Sequence, residues 1–198
     1  MIFLVRHGET WSNAARVVQT PDVPLSARGV LQAERLAARL AALGVDRVVS
    51  SDYLRARMTA ESVCRACRAP IEFLPELRER SFGALRGRPY TECPADLFGP
   101  AYAPPDGETW EVFHERVRLA WRRVEALAIE ARGNLAVVSH GLVCRAIVER
   151  CVGLGDRPVP ALWPNTSLTI LSGRVPHELV LLNCAEHVAN LVPPGSAI

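Results

Sequence analysis

Two histidines stand in matching surroundings, and two arginines lie where folding would bring them alongside. His7 follows the apolar run Met1–Val5 and Arg6, and it precedes Gly8; His140 follows the apolar run Leu135–Ser139 and precedes Gly141. Each junction places an imidazole at the carboxyl end of a strand, beside a glycine that lets the chain turn sharply and a ligand come close. A lone histidine is more often a satisfied core group, but two in the same context point to a site. His114, His177 and His187 fit plainer roles, on a long helix and near or beyond the closing strands. Arg6 adjoins His7, and Arg55 lies one turn into the helix that follows Val48–Ser50. Either arginine alone would read as a surface cation. Two arginines and two histidines at strand ends suit a phosphoryl group, because guanidinium forks match phosphate oxygens in pairs. The helix opening at Gly141 adds backbone N–H groups and a favourable dipole.

Composition narrows the chemistry. The 198 residues carry 23 basic side chains, all of them arginine. Schiff-base, P-loop-lysine and lysine-base mechanisms are thereby excluded. A net charge of +2, with arginines spread along the chain, argues against a nucleic-acid partner. Of the six cysteines, Cys64 and Cys67 form one C-x-x-C near a helix end, Cys93 and Cys184 stand alone, and Cys144 and Cys151 lie within one helical pattern. Zinc ribbons need two close pairs, so reduced, mostly buried thiols are expected. Carboxylates do not cluster at metal-ligand spacing. No metal and no cofactor is expected. No segment reaches the roughly 18–20 apolar residues of a membrane span. Met1–Val5 is too short for a signal peptide. The expectation is a cytoplasmic protein with no membrane partner, its oligomeric state unspecified.

The elements that would position these groups alternate. Ile2–Val5 reads as a strand. Ser26 caps a helix carrying Leu31, Leu36, Leu40 and Leu43, closed by Gly44. Arg47–Ser50 is a strand, Asp52 to about Arg65 a helix, and Ile71–Leu74 a strand. A proline-rich stretch from Pro75 to about Asp106 holds one short helix near Tyr90–Leu97. A helix from about Glu108 to Ala131 turns Val112, Phe113, Val117, Ala120, Val124 and Leu127 inward. Leu135–Ser139 is a strand, Gly141–Val152 a helix, and Leu168–Leu171 and Glu178–Leu182 close the sheet. This pattern predicts a three-layer αβα domain with a mostly parallel sheet, spanning residues 1–198, with a flap or small cap at about 75–107. Such sheets bind ligands beyond the carboxyl ends of their strands.

Six ordered motifs then carry a resemblance. They are Arg6-His7-Gly8-Glu9-Thr10 with Asn13, Leu25-Ser26-x-x-Gly29, and Ser50-Ser51-Asp52-Tyr53-Leu54-Arg55-Ala56 with Thr59-Ala60. Leu77-Arg78-Glu79 with Phe82-Gly83 and Gly87, Asp106-Gly107-Glu108-Thr109, and Ser139-His140-Gly141 complete the set. Together they resemble the histidine phosphatase superfamily, the phosphoglycerate mutase-like proteins, and specifically its phosphatase branch. The resemblance implies a phosphoglycerate mutase-like fold and a phosphohistidine intermediate on His7. Arg6, Arg55, Asn13, His140 and Gly141 would bind the phosphoryl group, and Glu79 would protonate the leaving oxygen. Neutral His7 would be favoured by Arg6, Arg55 and a protonated His140. On Glu79 the arginines and an incoming phosphate pull in opposite directions.

The family's mutases carry a longer insertion after the acid motif, with Lys, Arg and Tyr for the carboxylate of phosphoglycerate. Here Gly83–Trp110 is short, lacks lysine and holds Tyr90, Leu97, Phe98 and Tyr102. That favours a phosphatase with an apolar or broad leaving-group pocket, to which Trp11, Val17 and Val18 would add a rim. The expected partner is a small-molecule phosphate ester. Mutase-type transfer and a phosphopeptide-binding module are the alternatives. Thr166-Ser167 would bring hydroxyls close to the phosphate. Gln19-Thr20, Ser81 and the position of Trp11 depart from the common pattern and bear on substrate identity.

Overall fold

The computed structural model describes residues 1–191. Six strands form one sheet: β1 Ile2–Arg6, β2 Val45–Ser50, β3 Ile71–Phe73, β4 Asn134–Ser139, β5 Leu168–Leu171 and β6 Leu179–Cys184, in the order β3-β2-β4-β1-β5-β6. β1, β2, β3 and β4 run parallel, and β5 and β6 add on antiparallel. The central strands are apolar on both sides because both sides are covered. Ile2, Leu4, Leu135 and Val137 meet α4 (Trp110–Glu130) and α5 (Gly141–Ala146), while Phe3, Val5, Ala136 and Val138 meet α2 (Ala27–Ala42) and α3 (Leu54–Cys67). Each of the larger side chains fully buried this way contributes about 1.5–3 kcal/mol. The result is the expected three-layer α/β arrangement.

The helices differ from the sequence expectation in detail. Ser26 does cap α2, accepting from Gly29 N at 3.0 Å. Its inward stripe, however, is Ala33, Leu36, Ala37 and Leu40, with Leu31 and Leu43 turned out at 50% and 39% exposure. Leu31 lies five residues from Leu36, about 140° round the helix, so both cannot share a face. In α4, Val112 is likewise exposed, and Trp121 takes the inward place instead. α3 starts at Leu54 rather than Asp52, and β6 runs on to Cys184. The helix expected over Gly141–Val152 changes after Ala146 into a π turn, Ile147–Val152. A four-residue helix α1, Trp11–Ala14, is too short to leave a periodic trace.

Residues 74–109 are irregular, with 3-10 turns at Pro75–Leu77, Gly83–Leu85 and Tyr90–Glu92. The helix expected near Tyr90–Leu97 is only that last turn, since Pro94 supplies no N–H to continue it. Side-chain clamps hold this stretch. Arg116 of α4 donates to the carbonyls of Glu76 and Arg78 at 2.7 and 2.8 Å and pairs with Glu108, which accepts from Ser81 N at 2.8 Å. Arg80 donates to the carbonyls of Glu108 and Tyr102 at 3.1 and 2.6 Å. Between them these clamps fix both sides of Glu79.

The turn after β1 is fixed by close backbone approach. A Cβ on Gly29 would lie 1.9 Å from the carbonyl oxygen of Glu9, and one on Gly8 would lie 2.6 Å from that of Gly29. Both obstacles are backbone and cannot swing away. Gly29→Ala is therefore expected to cost about 3 kcal/mol. That lowers the thermal midpoint by about 6–12 °C for a chain of this size, and calorimetry of the two proteins checks it.

All six cysteines are free thiols. Among the described residues no helix is long and apolar enough to cross a membrane, and no group of three or more His, Cys, Asp or Glu could hold a metal.

Candidate active site

The parallel strands end on one edge of the sheet, and the predicted groups gather there. His7 is 2% exposed, its backbone N–H donating to Ser139 O at 2.9 Å. Its Nδ1 lies 2.7 Å from Gly8 O. A carbonyl only accepts, so Nδ1 carries the proton and Nε2 keeps its lone pair. That lone pair accepts from Arg55 Nε at 3.2 Å. Burial, then Arg55 and then Arg6 hold the imidazole pKa well below its usual value, against the pull of the Gly8 bond. His7 is neutral, with its proton on the nitrogen facing away from Arg55.

Arg55 is buried in the first turn of α3, and its Nη1 donates to Thr20 O at 2.9 Å. Its guanidinium lies 5.2 Å from the Tyr53 ring centre. Burial lowers its pKa to about 10, so it stays cationic at neutral pH. Arg6 donates from Nη1 to Trp163 O, and its Nε is buried without a partner. A Cβ at Gly141 would sit 3.6 Å from Arg6 Nε, an ordinary contact, so the start of α5 packs directly beside this side chain.

His140 is fully buried, its ring centre 5.1 Å from that of His7. Burial first, then Arg55, His7 and Arg6, depress its pKa well below the usual value. The expectation of a protonated His140 is thus corrected for the unliganded site. Two guanidinium groups make a third cation unfavourable there, and His7 owes its neutrality to burial, Arg55 and Arg6. Glu79 is partly buried, and its carboxylate accepts from Arg80 N at 3.0 Å and Leu142 N at 3.2 Å. Burial raises its pKa, outweighing both N–H bonds and both arginines. In the unliganded site burial thus settles the balance toward a raised pKa, against the arginines.

Asn13 is the third residue of α1, in a capping box with Thr10. Its Oδ1 accepts from Thr10 N at 3.1 Å and from Asn165 Nδ2 at 3.3 Å, which leaves its NH2 group for a ligand. Gly141 opens α5 as expected, yet one N–H of that first turn, on Leu142, is engaged by Glu79. Thr166 and Ser167 do not line the cavity. The Thr166 hydroxyl donates to Asn165 O at 2.7 Å, and it is Asn165 that reaches Asn13 and, at 3.1 Å, His7 O. Residues 2–183 match the histidine phosphatase superfamily (branch 1). The chain belongs to this superfamily.

Its relatives in the superfamily bear both kinds of name. The probable phosphoglycerate mutase GpmB of Salmonella arizonae is 34% identical over 163 residues, which is 77% of this chain and 75% of that protein. The mycobacterial glucosyl-3-phosphoglycerate phosphatase superposes with a TM-score of 0.78 at 25% identity, over 92% of this chain and 98% of its own. A putative alpha-ribazole-5'-P phosphatase from Escherichia coli gives 0.79 at 28% identity, over 93% and 96%.

The superfamily signature leaves the rest of the cavity unassigned. Its volume is ≈ 780 Å³, far more than a phosphoryl group fills, and Arg6, His7, Asn13, Arg55 and Glu79 line only part of it. Val18, Phe82, Tyr90 and Phe98 form apolar wall, as expected for Val18, Tyr90 and Phe98. Leu97 and Tyr102 pack behind that wall instead. Trp11 and Val17 do not line it either; Trp11 is 70% exposed on the outer side of α1. The sequence reading missed Tyr53, Arg80, Arg86 and Trp163. Tyr53 is adjacent to a motif arginine's helix and accepts from Arg86 Nη2 at 3.0 Å. Arg80 follows the acid residue directly, and that adjacency was the available signal. Trp163 comes from a stretch without regular structure and offered none.

Proposed function

We propose that this protein is a phosphomonoester hydrolase that works through a phosphohistidine on His7 and takes a small phosphorylated metabolite. The observation that carries the reading is the pairing of two groups at one cavity: a neutral imidazole whose Nε2 keeps its lone pair, and a carboxyl group that burial makes hold its proton more tightly. His7 Nε2 attacks phosphorus as the ester P–O bond breaks, and the Glu79 proton passes to the departing oxygen. Nδ1–H stays on Gly8 O and so offsets the positive charge that the ring acquires. Water then attacks phosphorus, gives its proton to Glu79, and the P–N bond breaks. Arg6 and Arg55 balance charge on the equatorial oxygens, with hydrogen bonds from Asn13, His140 and the Gly141 turn. The incoming dianion is a stronger acceptor than imidazole, so it draws Arg55 Nε off Nε2 and frees the nucleophile. Two arginines supply the charge that a metal would otherwise bring, so no metal or cofactor takes part.

The apolar wall and the absence of lysine support hydrolysis of an ester with a bulky leaving group, with residues 75–107 as the flap of a single unit. Six free thiols fit a cytoplasmic location. The mutase names among its relatives favour a second reading, phosphoryl transfer between positions of phosphoglycerate. Hydrolysis of an aryl phosphate in the presence of EDTA, set beside incubation of 3-phosphoglycerate with a bisphosphoglycerate primer, separates them. We expect steady phosphate release in the first and no isomer in the second. Isomerisation faster than hydrolysis would establish the mutase reading instead.

A further inference from the structure

The residue that decides how His140 meets a ligand is not His140 itself. Ser51 sits just beyond β2 with no exposed surface, its backbone N–H donating to Val138 O at 3.0 Å. Its Oγ accepts from Tyr53 N at 3.3 Å and lies 2.9 Å from His140 Nε2. Among the described residues neither carbonyl nor carboxylate bonds that hydroxyl, so Nε2 is the acceptor for its hydrogen. His140 Nδ1 is buried without a partner.

Two tautomers of the neutral ring are possible, and they leave different debts. With the proton on Nε2, the ring would donate to Ser51 Oγ, and the hydroxyl hydrogen would be left without an acceptor. Nδ1 would also be a lone pair with no donor. With the proton on Nδ1, the hydroxyl and Nε2 satisfy each other, and one N–H donor is left over. A buried polar group left unmatched is costly, so the second arrangement wins. Its leftover group is also of the kind an anion needs, because a lone pair facing phosphate would repel it.

We propose that Ser51 is a positioning residue: its hydroxyl donates to His140 Nε2 and fixes the imidazole proton on Nδ1, as a donor to the transferring phosphoryl group. The first half stands on hydrogen-bond matching alone; the second rests on the hydrolase reading above. Ser51 thereby does for His140 what Gly8 O does for His7, by a different partner and to the opposite end. Gly8 O keeps His7 a nucleophile, and Ser51 keeps His140 a donor.

Long-range proton–nitrogen NMR of the uniformly labelled native protein reads the tautomer directly, the His140 signals being assigned by their loss in His140→Asn. We expect a protonated Nδ1 and an unprotonated Nε2. Ser51→Ala should move the ring toward the opposite tautomer and lower kcat for an aryl phosphate by about 10- to 100-fold, the scale of one lost donor to a transition-state anion. Ser51→Thr, which keeps the hydroxyl, should retain the native tautomer and recover most of the rate. A native ring protonated on Nε2 overturns the proposal without any variant. So does Ser51→Ala with unchanged kcat. If the protein hydrolyses no phosphate ester, the native spectrum still decides the tautomer, and only the hydrolase reading is lost.

Discussion

Replacing His7 with alanine is expected to lower turnover of an aryl phosphate by about 10⁴-fold or more, and to abolish all phosphate on the acid-labile fraction of the protein. No neighbouring group can take over. His140 has its Nε2 on Ser51, which leaves the ring no free lone pair for attack. The thiol nearest in sequence to His140, Cys144, is buried and its pKa is pushed far up by burial and then by Glu79. Arg6 and Arg55 are cations. Water attacking directly would have to do so without the covalent step that divides the barrier.

The test is rapid denaturation during turnover of radiolabelled substrate, followed by acid and base treatment. A phosphoramidate on histidine survives base and is lost in acid, which separates it from serine and tyrosine esters. Label in the native protein with none in His7→Ala is the expected pair of results. Equal labelling, or equal rates, would remove His7 from the mechanism. The variant also reports on the cation pair. Once the imidazole is gone, Arg55 Nε loses its 3.2 Å acceptor and remains free for phosphate. His7→Ala should accordingly bind inorganic phosphate at least as tightly as the native protein while turning nothing over, a split that calorimetry can read.

Strand ends and their following residues were legible because their signal is local. An apolar run ending in His-Gly states both the element and the edge where the side chain emerges, so His7, His140 and Arg6 could be placed from sequence. Arg55 followed from the same rule applied to Val48–Ser50. What failed was angular or long-range. Val112 and Leu31 are apolar and near the right spacing, but each lies too far round its helix to share the buried stripe. Ionisation states failed for a different reason. The neutrality of His140 depends on how completely the fold removes it from water and on two cations reaching it from β1 and α3. Neither can be read from the residues beside it. Asn165 and Trp163, which touch His7 and Arg6 from a stretch without regular structure, had no pattern to betray them.

Glu79→Gln should divide substrates by their leaving groups. An alkoxide is a poor leaving group and needs its proton as the P–O bond breaks; a phenolate departs without one. Loss of the acid should therefore slow alkyl phosphates by about 10²–10³-fold and aryl phosphates by less than about 10-fold, the range general-acid catalysis covers. The amide is nearly isosteric with the acid, and its oxygen can still accept from Arg80 N or Leu142 N; the other bond is lost for alkyl and aryl esters alike, so the ratio of the two rates is the readout. The sign of the pH dependence follows from two opposite shifts. His7 must be neutral, and its pKa lies well below the usual imidazole value, so activity is lost toward acid and the rise with increasing pH comes below the usual imidazole range. Glu79 must be protonated, and its pKa lies above the usual carboxylate value, so activity on alkyl esters falls as pH climbs past it. The two shifts extend the productive window at both ends, and a bound phosphate dianion extends it further from above by raising Glu79. Glu79→Gln should erase the falling limb for alkyl esters while leaving the acidic rise in place. Loss of both limbs, or equal slowing of alkyl and aryl esters, would mean that the proton reaches the leaving oxygen from another group. Solvent would then be the donor, and Glu79 a structural anchor for the start of α5 through its bond from Leu142 N.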